Sequence, residues 1–422
     1  MVVPSPYVSV LSDRGAWRFS LAGFIGRFPV AMLGLSAVLL ILHVGQSYAV
    51  AGAVSAVIAL AAAAMGPVNS RLTDRRGQSR ILIILVPLNV VALVALIAAI
   101  VSGSSVGELI VVGILVGATS PSVGSMVRAR WAHQLGGRPS LRTAFAWEGI
   151  VDETTYVLGP PFATVLAVSV VPAAGLAMSA ILIVVGGGML AMLHASQPRP
   201  TPYHPAHGPA ALRYPGVWVG VLVFTTMGVL FGSFEVSTVA VASEQGVPGA
   251  TGILLAVFAL GSLCAGVVLG LYQPRSPLPR QLIIATAAIA VIVLPLAAIH
   301  SLAVLGLVIF VAGLAVAPIL VIVTSLTEGL VPLHRLTEGL SVQDSGIAIG
   351  FAIGTALGGV LIDSGGSVAS LAMTTAAAIV TLLGVLIGTP ALRRAWASRE
   401  SEADVSGEPD AVASADLPLA RE

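Results

Sequence analysis

The sequence predicts an all-α integral membrane protein with 12 transmembrane helices, arranged as two six-helix bundles related by pseudo-two-fold symmetry. Its 422 residues are 57% hydrophobic and only 9% charged, and soluble chains are less apolar. The apolar residues form repeated blocks of about 20, which is the length of a helix that crosses a bilayer. Helices are expected throughout, because lipid cannot satisfy backbone N–H and C=O groups.

Charged residues, prolines and glycines between the apolar blocks divide the chain into twelve spans. The predicted spans are 18–43, 48–69, 81–101, 107–127, 143–168, 172–194, 215–241, 249–271, 281–299, 302–325, 339–362 and 368–388.

The longest internal break separates six spans from six and is rich in Pro and His. It predicts a linker at 195–214, between an N-terminal six-helix bundle at 18–194 and a C-terminal six-helix bundle at 215–388. An N-terminal segment, 1–17, precedes the first bundle. The Ser- and Pro-containing acidic end, 389–422, is predicted to be a disordered tail.

The arginines occur in alternate loops and so predict the orientation of the spans. Arg14 and Arg18 lie before or at the start of span one, the others follow spans two, four, six, eight, ten and twelve, and only Arg27 falls within a predicted span. Because basic residues concentrate in cytoplasmic loops, we expect both termini, the linker and the tail to be cytoplasmic. The predicted location is the inner or plasma membrane of the cell.

The two predicted halves carry related residues at matching positions. Pro121 in span four precedes Pro318 in span ten by 197 positions, and Glu148 in span five precedes Asp344 in span eleven by 196. Two repeated halves with a central interface are a common plan of secondary transporters.

A polar loop between spans two and three packs four arginines and one aspartate into residues 70–80. The pattern Asp-Arg-x-Gly at 74–77, followed by basic Arg80, resembles the loop between the second and third helices of major facilitator superfamily transporters. The family pattern has Gly where Ser70 stands in this chain. The resemblance covers about residues 15–390 and implies the twelve-helix transporter fold.

The same resemblance implies a gating loop composed of Asp74, Arg75, Gly77 and Arg80. Asp74 would lie near the cytoplasmic start of span eleven, where free helix N–H groups attract a carboxylate, and would latch the halves in the outward-facing state. The alternative is a cytoplasmic basic loop without a gating role.

Span five holds three acids, Glu148, Asp152 and Glu153. Glu148 and Asp152 share one helix face, and Asp152 is predicted at a depth of ~15 Å, close to the ~13 Å of Arg27 in span one. An unpaired charge in lipid is expensive, so these groups should face one another or water. They form either a fixed ion pair or a proton-coupling site, because a buried carboxylate can bind and release a proton.

Asp344 is a second proton-coupling candidate, with an interfacial helix cap as its alternative. Glu235 in span seven is predicted near the outer end, where it serves as an outer gate or is simply solvated. The Gly159-Pro160 pair in span five resembles part of the antiporter signature of drug/proton exporters. Candidates for the substrate cavity are Phe24, Met32, Tyr156, Phe231, Glu235, Gln343 and Phe351.

These features predict a secondary active transporter that exports small amphipathic or apolar compounds in exchange for protons. A mostly apolar cavity with a few acids suits such cargo. The alternatives are a proton symporter or uptake permease for a metabolite, and a non-transporting membrane sensor or scaffold. Neither an enzyme nor a cofactor or metal site is indicated, and a net charge of +1 does not suggest nucleic acid. We expect a monomer whose partners are its substrate, protons and the lipid bilayer.

Overall fold

Helices dominate the computed structural model, which describes residues 6–136, 138, 140–200, 215–271, 276–299, 301–330 and 333–406. Within these ranges the chain forms twelve consecutive spans, as predicted. Most of the predicted linker and the last part of the predicted tail lie outside the described residues.

The N-terminal half contains a short helix followed by spans one to six, in which spans one and four each consist of two helices. The helices are α1 (Pro6–Ser12), α2 (Trp17–Arg27) and α3 (Leu33–His43) of span one, α4 (Tyr48–Arg76), α5 (Gln78–Val101), α6 (Val106–Thr119) and α7 (Val123–Leu135) of span four, α8 (Ser140–Ser169) and α9 (Ala174–Met192).

The C-terminal half contains spans seven to twelve, and its last two spans are continuous. Its helices are α10 (Pro215–Glu244), α11 (Ala250–Leu271), α12 (Leu278–Val293), α13 (Leu302–Gly313) and α14 (Val316–Leu330) of span ten, and α15 (Leu333–Ser406). Span eleven, 333–365, meets span twelve, 367–406, at Gly366, whose φ of 70° breaks the helical backbone.

Ten stretches of the described residues are long and apolar enough to cross a membrane, and one of them, Val342–Leu392, covers both spans that meet at Gly366. The helix α8 is not among the ten, since acids and prolines lower its hydropathy. Counting α8 and the double stretch gives the twelve spans.

The structure corrects two predicted boundaries. Span four continues to Leu135, so Arg128 and Arg130, predicted to follow span four, belong to its second helix. Both arginines have polar partners in neighbouring helices, which allows the helix to continue beyond the apolar run. Residues 389–406, predicted to be disordered, continue the last helix, because Ala, Leu, Arg and Glu, which are good helix formers, make up more than half of them.

The predicted internal repeat is visible in spans four and ten. Pro121 lies in the break between α6 and α7, and Pro318 lies in the first turn of α14, just after the break from α13. Both spans therefore change helix at the equivalent position, which supports the pseudo-two-fold relation of the halves.

Close contacts between the halves occur at the end of the bundle opposite to both termini, called the distal end below. A methyl group on Gly52 would lie 2.1 Å from the Thr355 carbonyl oxygen, and one on Gly252 would lie 2.6 Å from Pro161 Cα. Spans two and eleven, and spans five and eight, thus touch through backbone where glycine allows it. The protein is closed at the distal end.

One carboxylate strengthens this distal closure. Asp363, at the end of span eleven, accepts hydrogen bonds from the backbone N–H groups of Tyr48, at 3.0 Å, and Ala49, at 2.8 Å. These N–H groups begin α4 and have no partner within their own helix. Asp363 therefore caps a helix of the opposite half.

The glycine stripe of span eleven packs inside the C-terminal half. Gly346, Gly350 and Gly354 face α10, and a methyl group on Gly350 would lie 1.9 Å from the carbonyl oxygen of Thr225. Small residues let helices in membranes approach closely. The stripe fixes spans seven and eleven as one unit.

Candidate functional site

Two arginines and two acids meet inside the N-terminal half and form what we call the charge network. Its members are Arg27 at the end of α2, Arg128 on α7, and Glu148 and Asp152 one turn apart on α8. Arg27 Nη1 donates a 2.7 Å hydrogen bond to Asp152 Oδ1, and Arg27 Nη2 pairs with Glu148 Oε2. The structure thus places Arg27 against both acids of span five.

The network has a buried end and an accessible end. The side chain of Glu148 is 0% exposed and that of Arg27 is 4% exposed. Asp152, 32% exposed, also pairs through Oδ2 with Nη2 of Arg128, which is 50% exposed. Two positive and two negative charges balance, and only the Asp152–Arg128 end can be reached from outside the protein.

Neighbouring side chains hold the buried end in place. Trp131 Nε1 donates a 2.8 Å hydrogen bond to Glu148 Oε1, so both oxygens of that carboxylate have donors. The ring of Phe19 lies edge-on to Trp131, with 4.6 Å between ring centroids. Gly124 packs beside the guanidinium at ordinary van der Waals distance, since a methyl group there would lie 3.9 Å from Arg27 Cζ. A buried charge tolerates such a position only when paired and hydrogen-bonded.

The remaining predicted acids lie outside these ion pairs. Glu153 is partly buried and has no hydrogen bond or ion pair among the described residues. Asp344, in the other half, is exposed and close enough to Arg128 to interact with it electrostatically. Arg128 therefore pairs with a carboxylate of its own half and has a carboxylate of the opposite half in its electrostatic surroundings.

The predicted cavity residues divide into accessible and enclosed side chains. Tyr156 is 50% exposed, and the rings of Phe24 and Phe231 pack edge-on against Phe28 and Phe258. Met32 and Gln343 are fully buried. The amide of Gln343 donates to Thr327 Oγ1 within its own half, so these two residues line no cavity in this conformation.

The predicted gating loop turns at Gly77, whose φ of 90° separates α4 from α5. The side chains of Asp74, Arg75 and Arg80 are exposed. Asp74 makes no hydrogen bond to the described residues. This loop lies at the end of the bundle opposite the closed distal end. If the halves are separated there, Asp74 has no contact with the other half and the predicted latch is released.

Gln78, next to the gating loop, connects it to a fully buried arginine that the sequence did not reveal. Arg130 Nε donates a 2.7 Å hydrogen bond to Gln78 Oε1. Its other nitrogens donate 2.8 Å bonds to the carbonyl oxygens of Leu190 and Leu193, where α9 ends. A cation at a helix C-terminus is favoured by the helix dipole, and this one ties spans three, four and six together.

The sequence alone does not identify Arg128, Arg130 and Trp131 as site residues, for one reason. All three follow the apolar run of span four, where the two arginines resemble those of a cytoplasmic loop. Only a helix that continues past the apolar run places them at the depth of the acids in span five.

The sequence profile of the Major Facilitator Superfamily matches residues 19–306 and 237–417. The chain belongs to the Major Facilitator Superfamily. No curated protein matches its sequence significantly. As a member of this superfamily it is a multi-pass membrane transporter, and the family points away from an enzyme.

Solved structures of transporters share the fold at low sequence identity. A variant of the nucleoside transporter NupG superposes with a TM-score of 0.70 at 11% identity, covering 88% of this chain and 99% of that one. A bacterial homologue of the iron transporter ferroportin, in an inward-facing state, has a TM-score of 0.65 at 15% identity over 92% and 100%. A bacterial homologue of the human lysosomal transporter Spinster, inward-facing and unoccupied, has 0.63 at 15% over 94% and 99%.

Proposed function

We propose that this transporter exports small amphipathic compounds in exchange for protons, by alternating access and as a monomer. The main support is that Asp152, at the accessible end of the charge network, pairs with both Arg27 and Arg128. In this proposal the distal end faces outwards and both termini lie in the cytoplasm, as the arginine distribution indicates. The distal closure is then that of an inward-facing transporter.

Arg128 supplies the link between protonation and conformation. In the conformation described here it pairs with Asp152, and in this proposal the carboxylate held by two arginines is the proton-free state of the cycle. Asp152 therefore gives up its proton when the cytoplasmic side is open.

Closing the cytoplasmic side brings the halves together around Arg128. Asp344 of the opposite half then competes with Asp152 for the guanidinium of Arg128. Asp152 keeps only Arg27, which is also paired with Glu148. With one arginine withdrawn, Asp152 binds a proton from the outside. Each cycle thus carries a proton inwards as cargo leaves.

Glu148 has a supporting role in this scheme. Its carboxylate is enclosed and bonded to both Arg27 and Trp131, so it keeps Arg27 beside Asp152 in every state. Glu153 provides a second, unpaired carboxylate next to Asp152 that attracts protons and cations to this part of span five. Asp74 and the gating loop hold the cytoplasmic side closed in the outward-facing state.

The test is transport by the purified full-length protein in liposomes with an imposed pH gradient and a panel of amphipathic compounds. We expect gradient-dependent flux that Asp152→Asn abolishes and that Arg128→Gln lowers at least tenfold. Glu328→Gln is the matched control, since Glu328 is exposed on span ten and outside the charge network. Undiminished gradient-dependent flux in Asp152→Asn contradicts the proposal, as does the lack of such flux with every compound.

A further inference from the structure

A second carboxylate lies deep between the two halves, away from the charge network. Glu235 is on α10 of the C-terminal half, about two-thirds of the way along that helix. Its Oε1 atom is buried and has no hydrogen-bond partner. The side chain as a whole is partly buried, so its other oxygen remains within reach of a ligand.

A serine of the opposite half shares this position. Ser55 on α4 is 1% exposed, and its hydroxyl oxygen also has no hydrogen-bond partner in the structure. Both oxygens adjoin Gly34 of span one: a methyl group at Gly34 would lie 3.1 Å from Ser55 Oγ and 3.2 Å from Glu235 Oε1. The glycine thus leaves open the space between two unpartnered oxygens, one from each half.

Aromatic rings and further acids surround the same space. Phe231 precedes Glu235 by one helical turn and therefore shares its face of α10. Tyr156 of span five lies in the neighbourhood of Glu235, Glu153 and Asp152. Asp152 is neutralised by arginines, whereas Glu153 and Glu235 have no basic partner among the described residues. The space is therefore bordered by two carboxyl groups that no described basic group pairs with.

We propose that Glu235, Ser55 and the adjoining rings of Tyr156 and Phe231 bind the ammonium group of a cationic cargo. A carboxylate beside aromatic faces is the combination that recognises organic ammonium ions. An unpaired buried carboxylate is costly, and a bound cation removes that cost. The proposal rests on the proposed function, because it names the class of compound exported.

The position explains how such a cargo would contact both halves at once. Ser55 and Gly34 belong to the N-terminal half and Glu235 to the C-terminal half, at the inner side of the distal closure. A bound ammonium group bridges them and is carried through when the distal end opens.

Binding to the purified full-length protein in detergent tests the proposal without a pH gradient. The probes are benzyltrimethylammonium, which has a permanent charge and no proton to exchange, and neopentylbenzene, its uncharged carbon isostere. We expect calorimetry to show that Glu235→Gln weakens binding of the charged probe at least tenfold and leaves the neutral probe unchanged. Glu328→Gln is the control and binds both probes like the unmodified protein.

A second variant keeps the carboxylate but fills the space. Gly34→Ala should weaken binding of the charged probe several-fold, since the added methyl group would lie against Glu235 Oε1. Thermal unfolding checks that this variant remains folded. Equal affinity of the unmodified protein and Glu235→Gln for benzyltrimethylammonium overturns the proposal. A lack of binding by the unmodified protein, or equal weakening of both probes, overturns it as well.

The two proposals fail separately. If pH-driven flux is absent while the charged probe binds through Glu235, only proton coupling is lost. If Asp152→Asn abolishes flux while Glu235→Gln leaves both probes bound, only the ammonium site is lost.

Discussion

The two halves of the molecule treat equivalent acids in opposite ways. Glu148 and Asp344 occupy matching positions in the internal repeat. Glu148 is fully buried and bonded to Arg27 and Trp131, whereas Asp344 is exposed and has no ion pair among the described residues. Each half therefore has a carboxylate at the matching position, and among the described residues only the one in the N-terminal half is paired with an arginine.

The difference between the two acids is that Glu148 has fixed partners within its own half, whereas Asp344 has none among the described residues. In the charge network the charges balance, and removing Arg27 would leave Glu148 charged and buried. Asp344 and Glu235 of the C-terminal half have no ion pair within the described residues, and in our proposals their cations are Arg128 of the opposite half and the cargo. The halves therefore differ in what a substitution should cost, and three substitutions test that difference.

The largest effect is expected at the buried end of the charge network. Arg27→Met keeps the volume but leaves Glu148 charged and enclosed, which should destabilise the protein by about 3–5 kcal/mol. Thermal unfolding in detergent measures it. Arg128→Met is the control, because Arg128 is half-exposed and the loss of a solvent-accessible pair costs about 1 kcal/mol or less.

A double substitution identifies the cause. Glu148→Gln keeps an acceptor for Trp131 and removes the stranded charge, so adding it to Arg27→Met should restore most of the lost stability. If Arg27→Met is as mild as Arg128→Met, the buried end is not held by charge. If the double variant is less stable than Arg27→Met, packing rather than charge explains the loss.

The sequence predicted the parts of the fold that depend on apolar length. Span number, the division into halves and the match of Pro121 to Pro318 follow from hydropathy and spacing alone. The pairing of Arg27 with the acids of span five could be expected from depth, since a charge in lipid requires a partner.

The sequence did not predict partners that depend on helices continuing beyond the apolar runs. Arg128 and Arg130 lie in such a continuation of span four, where Arg130 is fully buried and Arg128 pairs with Asp152 at the accessible end of the charge network. Contacts between the halves were also hidden, because the distal capping by Asp363 joins residues 48–49 and 363. No local pattern connects positions so far apart.

A smaller effect on stability and a clear one on coupling are expected at Asp344. Asp344→Asn removes an exposed charge and should change the unfolding free energy by about 0.5 kcal/mol or less. If Asp344 competes for Arg128 when the cytoplasmic side closes, proton-driven flux should fall about tenfold, the effect of one lost interaction of about 1.4 kcal/mol. Flux in proteoliposomes and thermal unfolding of the same preparation provide the two readouts.

Two outcomes for Asp344→Asn would contradict the proposed difference between Asp344 and Glu148. If Asp344→Asn destabilises the protein as strongly as Arg27→Met, the acids of the two halves are equivalent structural charges. If it leaves both stability and flux unchanged, Asp344 is only a solvated residue of span eleven. Glu328→Gln again serves as the control for removing an acid from the C-terminal half.

The smallest effect is expected at Asp363, which among the described residues of the C-terminal half is the acid with hydrogen bonds to the other half. Asp363→Asn removes its charge from the start of α4 and should weaken the distal closure by about 1 kcal/mol, a change of about fivefold in the ratio of closed to open molecules. Spin labels on Ser102→Cys and Val247→Cys, which lie in distal loops of opposite halves, would report the ratio. The sole native cysteine, Cys264, is exposed and must first be replaced with serine.

Glu244 offers a matched control at the same end of the molecule. It accepts a 2.8 Å hydrogen bond from the backbone N–H of Ser367, so it caps a helix of its own half rather than of the other one. Glu244→Gln should therefore leave the label distances unchanged, while Asp363→Asn shifts them towards longer values. Equal shifts in both variants would mean that loss of a distal charge, and not loss of the bond between the halves, opens the transporter.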